Sequence, residues 1–371
     1  MKTKKIIILL MAVLFSFSFQ QCTKDEEPKP EDKSILPERF KVDIPDAISS
    51  NTSYKCTNID AIDGNLVYEH LTNFIHVGEA SADLFEEIIM AIAVNGINKP
   101  MSFSFVGDDD NRTKNLVVID NVTFNGVSYN YQLTITDAES ESNADGGNAL
   151  QVFWSNEPIR GIAILKPYNI DRTNDDNLGN AIYMIEYSEA GEYGYDAHMI
   201  VSIVDLPLED PSVEPYSINT LKMFAGKKGD IIDVYGNTNH PNAHFFNDDA
   251  ENIGFNWAFV ASGDESADIG VAEVGLPPSN LDETNRSVLL EDYSIENVFT
   301  RLIYEEWPTI DSTSVAEYLQ NTEAPGYFNS SGFVCGGTSP GSEYDVIELR
   351  IKDLTPYNPY DITNLEINFN D

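Results

Sequence analysis

Residues 116–136 read LVVIDNVTFNGVSYNYQLTIT, and their spacing decides the fold. Two runs, Leu116–Phe124 and Val127–Thr136, alternate apolar and polar side chains at a period of two. That period places successive side chains on opposite faces of a pleated strand. Between the runs sits Asn125-Gly126, the residue pair that most readily accepts the positive φ angles of a two-residue hairpin turn. The stretch is therefore predicted to be a β-hairpin. Working outward, Met101–Val106, Leu150–Trp154, Ile159–Lys166, Ile182–Tyr187 and Ala197–Val204 share the strand pattern. The breaks at 107–113, 137–148 and 171–180 are rich in Asp, Asn, Gly and Ser, which supply turn conformations. Consecutive strands joined by short turns predict an antiparallel meander.

A sheet with an apolar face needs cover, and the preceding stretch offers it. Leu66, Val67, His70, Leu71, Phe74 and Ile75 fall on one helical face, and Leu84, Phe85, Ile88, Ile89 and Ile92 on another. Gly78 between them, with Ser81 as a cap, predicts two helices in a hairpin. The fold class is thus α+β and β-rich: an antiparallel meander, curved towards a half-barrel, packed on a helical hairpin. Before the helices, Phe40–Ile44 predicts a short edge strand closed by Pro45. After a Pro- and acid-rich break at 207–215, Ile218–Phe224 reads as helix, and Asp230–Tyr235, Phe255–Ala261 and Ile269–Val274 as strands. Ile295–Trp307, stopped by Pro308, and Val315–Leu319 read as helices, and Val346–Ile351 and Leu365–Phe369 as closing strands. The chain divides into a signal segment (1–21), a tether (22–40), the helices and meander (41–206) and a mixed remainder (207–371) of the same compact domain.

The first residues carry an address. Lys2, Lys4 and Lys5 precede the apolar run Ile6–Phe15, the layout of a secretory signal whose apolar core is too short to remain as a spanning helix. Cys22 follows, then Thr23-Lys24-Asp25-Glu26-Glu27 and a Pro- and charge-rich stretch without apolar side chains. This arrangement resembles bacterial lipoproteins, and Lys24–Glu27 is similar to the surface-export signal of Bacteroidota-type lipoproteins. The resemblance covers about the first tenth of the chain and implies an acylated Cys22, of the palmitate-bearing kind, an outer-membrane anchor and exposure at the cell exterior. Ser16-x-Ser18 would instead suit ordinary signal peptidase and leave three cysteines, an odd number for an oxidising compartment. Acylation of Cys22 leaves Cys56 and Cys335 as one candidate disulfide.

The formal charge is −39, and removing the signal segment leaves 19 basic residues against 61 acidic ones, or −42. Such a surface repels nucleic acid and is not drawn to anionic headgroups. The membrane partner is therefore reached through the lipid anchor alone, and glycans or proteins are the candidate ligands.

Catalytic motifs are few. Gly337-Thr338-Ser339-Pro340-Gly341 has the letters of a nucleophile elbow, but Pro340 lacks the N–H that the oxyanion hole needs. His240-Pro241-Asn242-Ala243-His244 has proline where a zinc-peptidase helix carries its glutamate. Asp171, Thr173, Asp175 and Asn177 place oxygen atoms at the alternating positions that begin a calcium loop, which makes calcium the one cofactor worth testing. Asp311-Ser312-Thr313 resembles the O-glycosylation site of Bacteroidota secreted proteins, with Ser312 as acceptor. Trp154, Trp257, Trp307, Tyr129, Tyr131, Tyr193 and Tyr195 are candidates to stack on sugar rings or to pack as core. The expectation is a lipid-anchored cell-surface protein that binds or scaffolds without catalysis. A carboxylate-dependent glycan hydrolase and a carrier of an apolar ligand are the alternatives.

Overall fold

A computed structural model describes residues 35–37, 39–49, 62–93, 97–108, 110–173, 179–210, 216–243 and 254–370. The signal segment, Cys22, the stretch to Ser34, Cys56, Asp175, Asn177 and His244 lie outside the described residues. In chain order the strands are β1 (Ile62–Asp63), β2 (Met101–Val106), β3 (Thr113–Phe124), β4 (Val127–Asp137) and β5 (Asn148–Asn156). They continue with β6 (Ile159–Leu165), β7 (Ile182–Ser188), β8 (Ala197–Val204), β9 (Thr220–Lys228) and β10 (Ile231–His240). The last are β11 (Phe255–Asp264), β12 (Ile269–Gly275), β13 (Leu319–Gln320), β14 (Gly326–Asn329) and β15 (Gly332–Gly336). The protein is α+β and β-rich, built on antiparallel meander strands as expected.

Two compact units emerge. The first takes the described residues up to Lys41, Ala80–Ala190 and the tail from Ile367; the second takes Val42–Glu79 and Gly191–Glu366. The break expected at 207–215 lies inside the second unit.

In the first unit, β2 to β7 pair in chain order, each antiparallel to the next. The β3–β4 turn is Asn125-Gly126 with φ of 49° and 78°, so the residues that read as a hairpin turn adopt its left-handed geometry. Trp154 is fully buried, and its indole N–H donates to the Ile35 carbonyl at 2.7 Å. Leu36 and Phe40 are buried too, so the end of the span read as tether belongs to the packed protein. A Cβ on Gly161 would collide with the Phe40 ring, which explains the glycine in the middle of β6.

In the second unit, β8 to β12 pair in chain order and β14 and β15 continue the series. Both faces of its central strands are buried. On one face Met223 lies against the helix at Gly78. On the other, the helix Asp345–Ile351 docks through Arg350, whose guanidinium grips the buried Asp233 carboxylate with both Nε and a terminal nitrogen. Tyr195 and Ser262 hydroxyls donate to the same carboxylate at 2.8 and 2.7 Å.

Five expectations are corrected. Gly64–Ala93 is one continuous helix of 30 residues, not a hairpin. Gly78 sits inside it because a side chain there would overlap the Met223 methyl, so the glycine serves close approach and not a break. Ile218–Phe224 is not helical: Thr220–Lys228 is strand β9, with Leu221 and Met223 buried two apart on one face. Val346–Ile351 is helical, since Ile347 and Ile351 are buried four apart while Val346 and Leu349 are exposed. Phe40–Ile44 and Leu365–Phe369 form no strands. The N–H of Phe40 donates to Glu86 and that of Ile44 to Glu79, so side chains of the long helix take the place of a partner strand.

Candidate functional site

The seven aromatics that could meet a sugar separate by burial. Trp154 and Trp257 are core residues, Tyr129 is buried, and Tyr131 stacks on Trp154 at 5.4 Å. Tyr195 is spent on Asp233. Tyr193 and Trp307 remain exposed, at 71 % and 48 %.

Trp307 stands at the end of the helix Ile295–Glu306, which Ser294 caps by accepting the Asn297 N–H. Pro308 follows and ends the helix, and the chain turns into a second helix, Ser312–Tyr318. The junction encloses a groove of about 500 Å³. Ile303 and Val315, both buried, and Ile310 give it an apolar lining. Trp307 and Tyr318 add aromatic surface, and Thr309 and Ser314 add hydroxyls. Such a mixture of apolar lining with a few polar groups is the usual make-up of a small-ligand site.

Asp311 fixes one side of this junction. Its carboxylate accepts from the N–H groups of Thr313 and Ser314 at 3.1 and 3.0 Å and from the Ser314 hydroxyl at 2.8 Å. Those donors, Ser314 foremost, hold its carboxyl below the usual range, so it stays ionised and accepts hydrogen bonds without having a proton to give. Ser312 is exposed at the first turn of the same helix, where Asp311 acts as the N-cap.

Of the calcium-loop candidates, Asp171 and Thr173 fall within the described residues, and they bond to each other. Asp171 accepts from the N–H and hydroxyl of Thr173 at 2.8 and 2.7 Å, which is a local turn. Next to it, Arg172 donates to Asn169 and Ser140, and its Nε lies 3.4 Å from Asp137. Asp137, fully buried, also receives Arg112 through Nε and a terminal nitrogen, and the buried Lys114 pairs with Asp110 at 2.8 Å. Burial pushes the Asp137 carboxyl up, but the Arg112 and Ser140 hydrogen bonds and the Lys114 charge outweigh it and hold it down.

Cys335 is a free, half-buried thiol whose Sγ lies 3.3 Å from the Thr338 carbonyl; its expected partner Cys56 is outside the described residues. Ser339 of the elbow-like loop donates to the Gly341 carbonyl at 2.9 Å. His240 is buried, with Nδ1 2.9 Å from the Tyr216 carbonyl and Nε2 2.8 Å from the Thr238 hydroxyl. Among the described residues no three His, Cys, Asp or Glu side chains are grouped to hold a metal ion.

Sequence reading named Trp307 but not Thr309, Ile310 or Tyr318. The available signal was the Pro308 break between two amphipathic stretches, which sets a tryptophan at a helix–helix junction.

No family model matches the chain, and no curated protein or solved structure is significantly similar to it.

Proposed function

We propose that this is a lipid-anchored cell-surface protein that binds a saccharide in the groove between the helices Ile295–Glu306 and Ser312–Tyr318. The observation that carries the reading is Trp307, a large aromatic left about half exposed beside an apolar groove rimmed by hydroxyls. A sugar ring has one apolar face and a hydroxyl edge, which matches an aromatic wall next to Thr309 and Ser314. Binding fits the groove better than hydrolysis, because a glycosidase needs a pair of carboxyls facing the substrate and the described residues that line the groove include neither Asp nor Glu. The signal segment and Cys22 support the anchor, with the acidic tether holding the folded part off the membrane.

The test is a titration of the full mature chain with defined neutral oligosaccharides, followed by tryptophan emission. Trp154 and Trp257 are buried, so a ligand-dependent change that disappears in Trp307→Ala is the expected result. Titrations that leave the emission of the native chain unmoved, or release of reducing ends in place of binding, would overturn the reading. The anchor is tested separately by the mass of the N-terminal peptide from native membranes. An acylated Cys22 is expected, and an unmodified peptide starting at Phe19 would remove the anchor.

A further inference from the structure

The strand series of the first unit ends at β2, and among the described residues β3 is its one strand neighbour. Its six residues read MSFSFV and hold an unbroken antiparallel register, from Met101 opposite Val118 to Val106 opposite Thr113. A terminal strand turns a row of backbone N–H and C=O groups outward, the template on which another strand adds. Proteins commonly blunt such an edge with a charge, a proline or a bulge inside the strand. β2 contains none of the three.

The side chains on its two faces narrow what fits there. Ser102, Ser104 and Val106 are exposed, and the residues opposite them on β3 (Val117, Asn115 and Thr113) are uncharged too. On the other face Phe103 and Phe105 are half-buried, with ring centroids 6.1 Å apart. The chain has a formal charge of −39, so most of its surface repels a copy of itself. A charge-free strand beside charge-free neighbours is where that repulsion is least.

The strand is also complementary to itself. Two copies paired antiparallel are related by a two-fold axis perpendicular to the sheet. Opposite residues then share a face, so the residue at the centre meets its own copy. Only with Ser104 at the centre does each phenyl ring lie opposite another: Phe103 meets Phe105 of the second copy, and Phe105 meets Phe103. Cross-strand aromatic pairs of this kind stabilise a sheet. Lys99, exposed just before the strand, then comes to the end at which the second copy carries its exposed Asp108. Parallel addition would set Lys99 beside Lys99 and Asp108 beside Asp108. A second copy thus supplies both the rings and the order of charges that this edge matches.

We propose that β2 is a self-association edge, through which two copies of this chain join by antiparallel pairing of Met101–Val106 with Ser104 opposite Ser104. The pairing is reversible, since one six-residue strand buries less than the interface of a permanent dimer. It is distinct from the Trp307 groove and does not depend on it.

The experiment has two arms, both on the full mature chain without acyl groups. Sedimentation of the native chain at rising concentration is expected to show monomer passing into dimer. Ser104→Lys sets two like charges opposite each other on the exposed face and is expected to raise the dissociation constant about fivefold. In the second arm, Ser104→Cys and Ser102→Cys are oxidised separately and the linked peptides are identified by mass. Ser104→Cys is expected to yield a peptide joined to its own copy at position 104. Position 102 faces position 106 of the second copy, which leaves the two copies of position 102 roughly 13 Å apart along the strands. Ser102→Cys is therefore expected to yield no such peptide, because a disulfide does not span that gap. A native chain that stays monomeric at every concentration overturns the association. A dimer unmoved by Ser104→Lys overturns the role of β2. Linking at 102 equal to that at 104 overturns the register. The sedimentation of the native chain stands even if a variant fails to fold.

Discussion

The two units bury polar groups in opposite ways. The first gathers ions: Asp110, Asp137, Arg112, Lys114 and Arg172 meet at one end of its strands. The second, apart from the Asp233–Arg350 and Glu273–Arg286 pairs, relies on neutral groups. Asn239 donates to Ser279 at 2.7 Å and to Thr363 at 3.2 Å, Asn256 donates to Thr363, and Asn237 accepts the Tyr357 N–H at 2.8 Å. An ionic cluster tolerates no missing member, because the charge left behind has no water to stabilise it. A neutral amide network degrades by one unsatisfied group at a time. The units should therefore differ in how they fail.

Asp137→Ala gives the largest expected effect. It takes the shared carboxylate from Arg112 and Arg172, leaves Lys114 with Asp110 alone, and should cost about 3–5 kcal/mol in urea unfolding. A loss under about 1 kcal/mol would put this cluster in the class of surface pairs and remove the contrast.

Acid should separate the units next. Burial, the largest influence, holds His240 neutral and brings its pKa to about 4. An unfolded histidine takes a proton near 6.5, so the stability tied to His240 is complete above pH 6.5 and lost on descent towards pH 4. The loss is on the order of 3 kcal/mol across that window and should be absent from His240→Gln. In the first unit, burial raises the Asp145 carboxyl, but Lys166, Asn169 and the Gly147 N–H outweigh it and leave it at about 2. Its contribution is present above the unfolded value and is lost only as pH falls from about 4 towards 2. Hydrogen exchange at pH 5 should thus show β10 and its neighbours opening before β3 to β5. The reverse order would reject the assignment.

Asn239→Ala should cost about 1–2 kcal/mol, since the Thr363 hydroxyl keeps the Ser279 and Pro359 carbonyls and only the Ser279 hydroxyl loses its donor. The smallest effect has the other sign: Tyr193→Gly should stabilise by up to about 1 kcal/mol in thermal unfolding, through relief of its left-handed backbone, with φ of 56°.

The legible part of the fold was the part with a single local solution. The hairpin at Asn125-Gly126 and the runs on either side follow from period two and turn chemistry alone. The long helix was misread at Gly78 because the reason for that glycine, Met223, lies 145 positions away in the chain. Val346–Ile351 was ambiguous in itself: six residues with apolar side chains at four positions fit either period, and docking against the second unit's strands selected the helix. The burial of the amides Asn237, Asn239 and Asn256 is not written in the spacing of β10 and β11, since sequence does not say that both faces of these strands are covered. The groove was half legible: a tryptophan before a proline was visible, but the approach of a second helix was not.

One contact bears on biosynthesis. Gln151 and Asn370 exchange two hydrogen bonds, of 2.9 and 2.7 Å, within the first unit. A ribosome adds about 5–20 residues per second, and domains made of continuous chain fold as they emerge. Here β5 must wait for more than 200 further residues before its partner at position 370 exists. The first unit therefore closes last although most of it is synthesised first, which leaves the chain without its final lock throughout elongation.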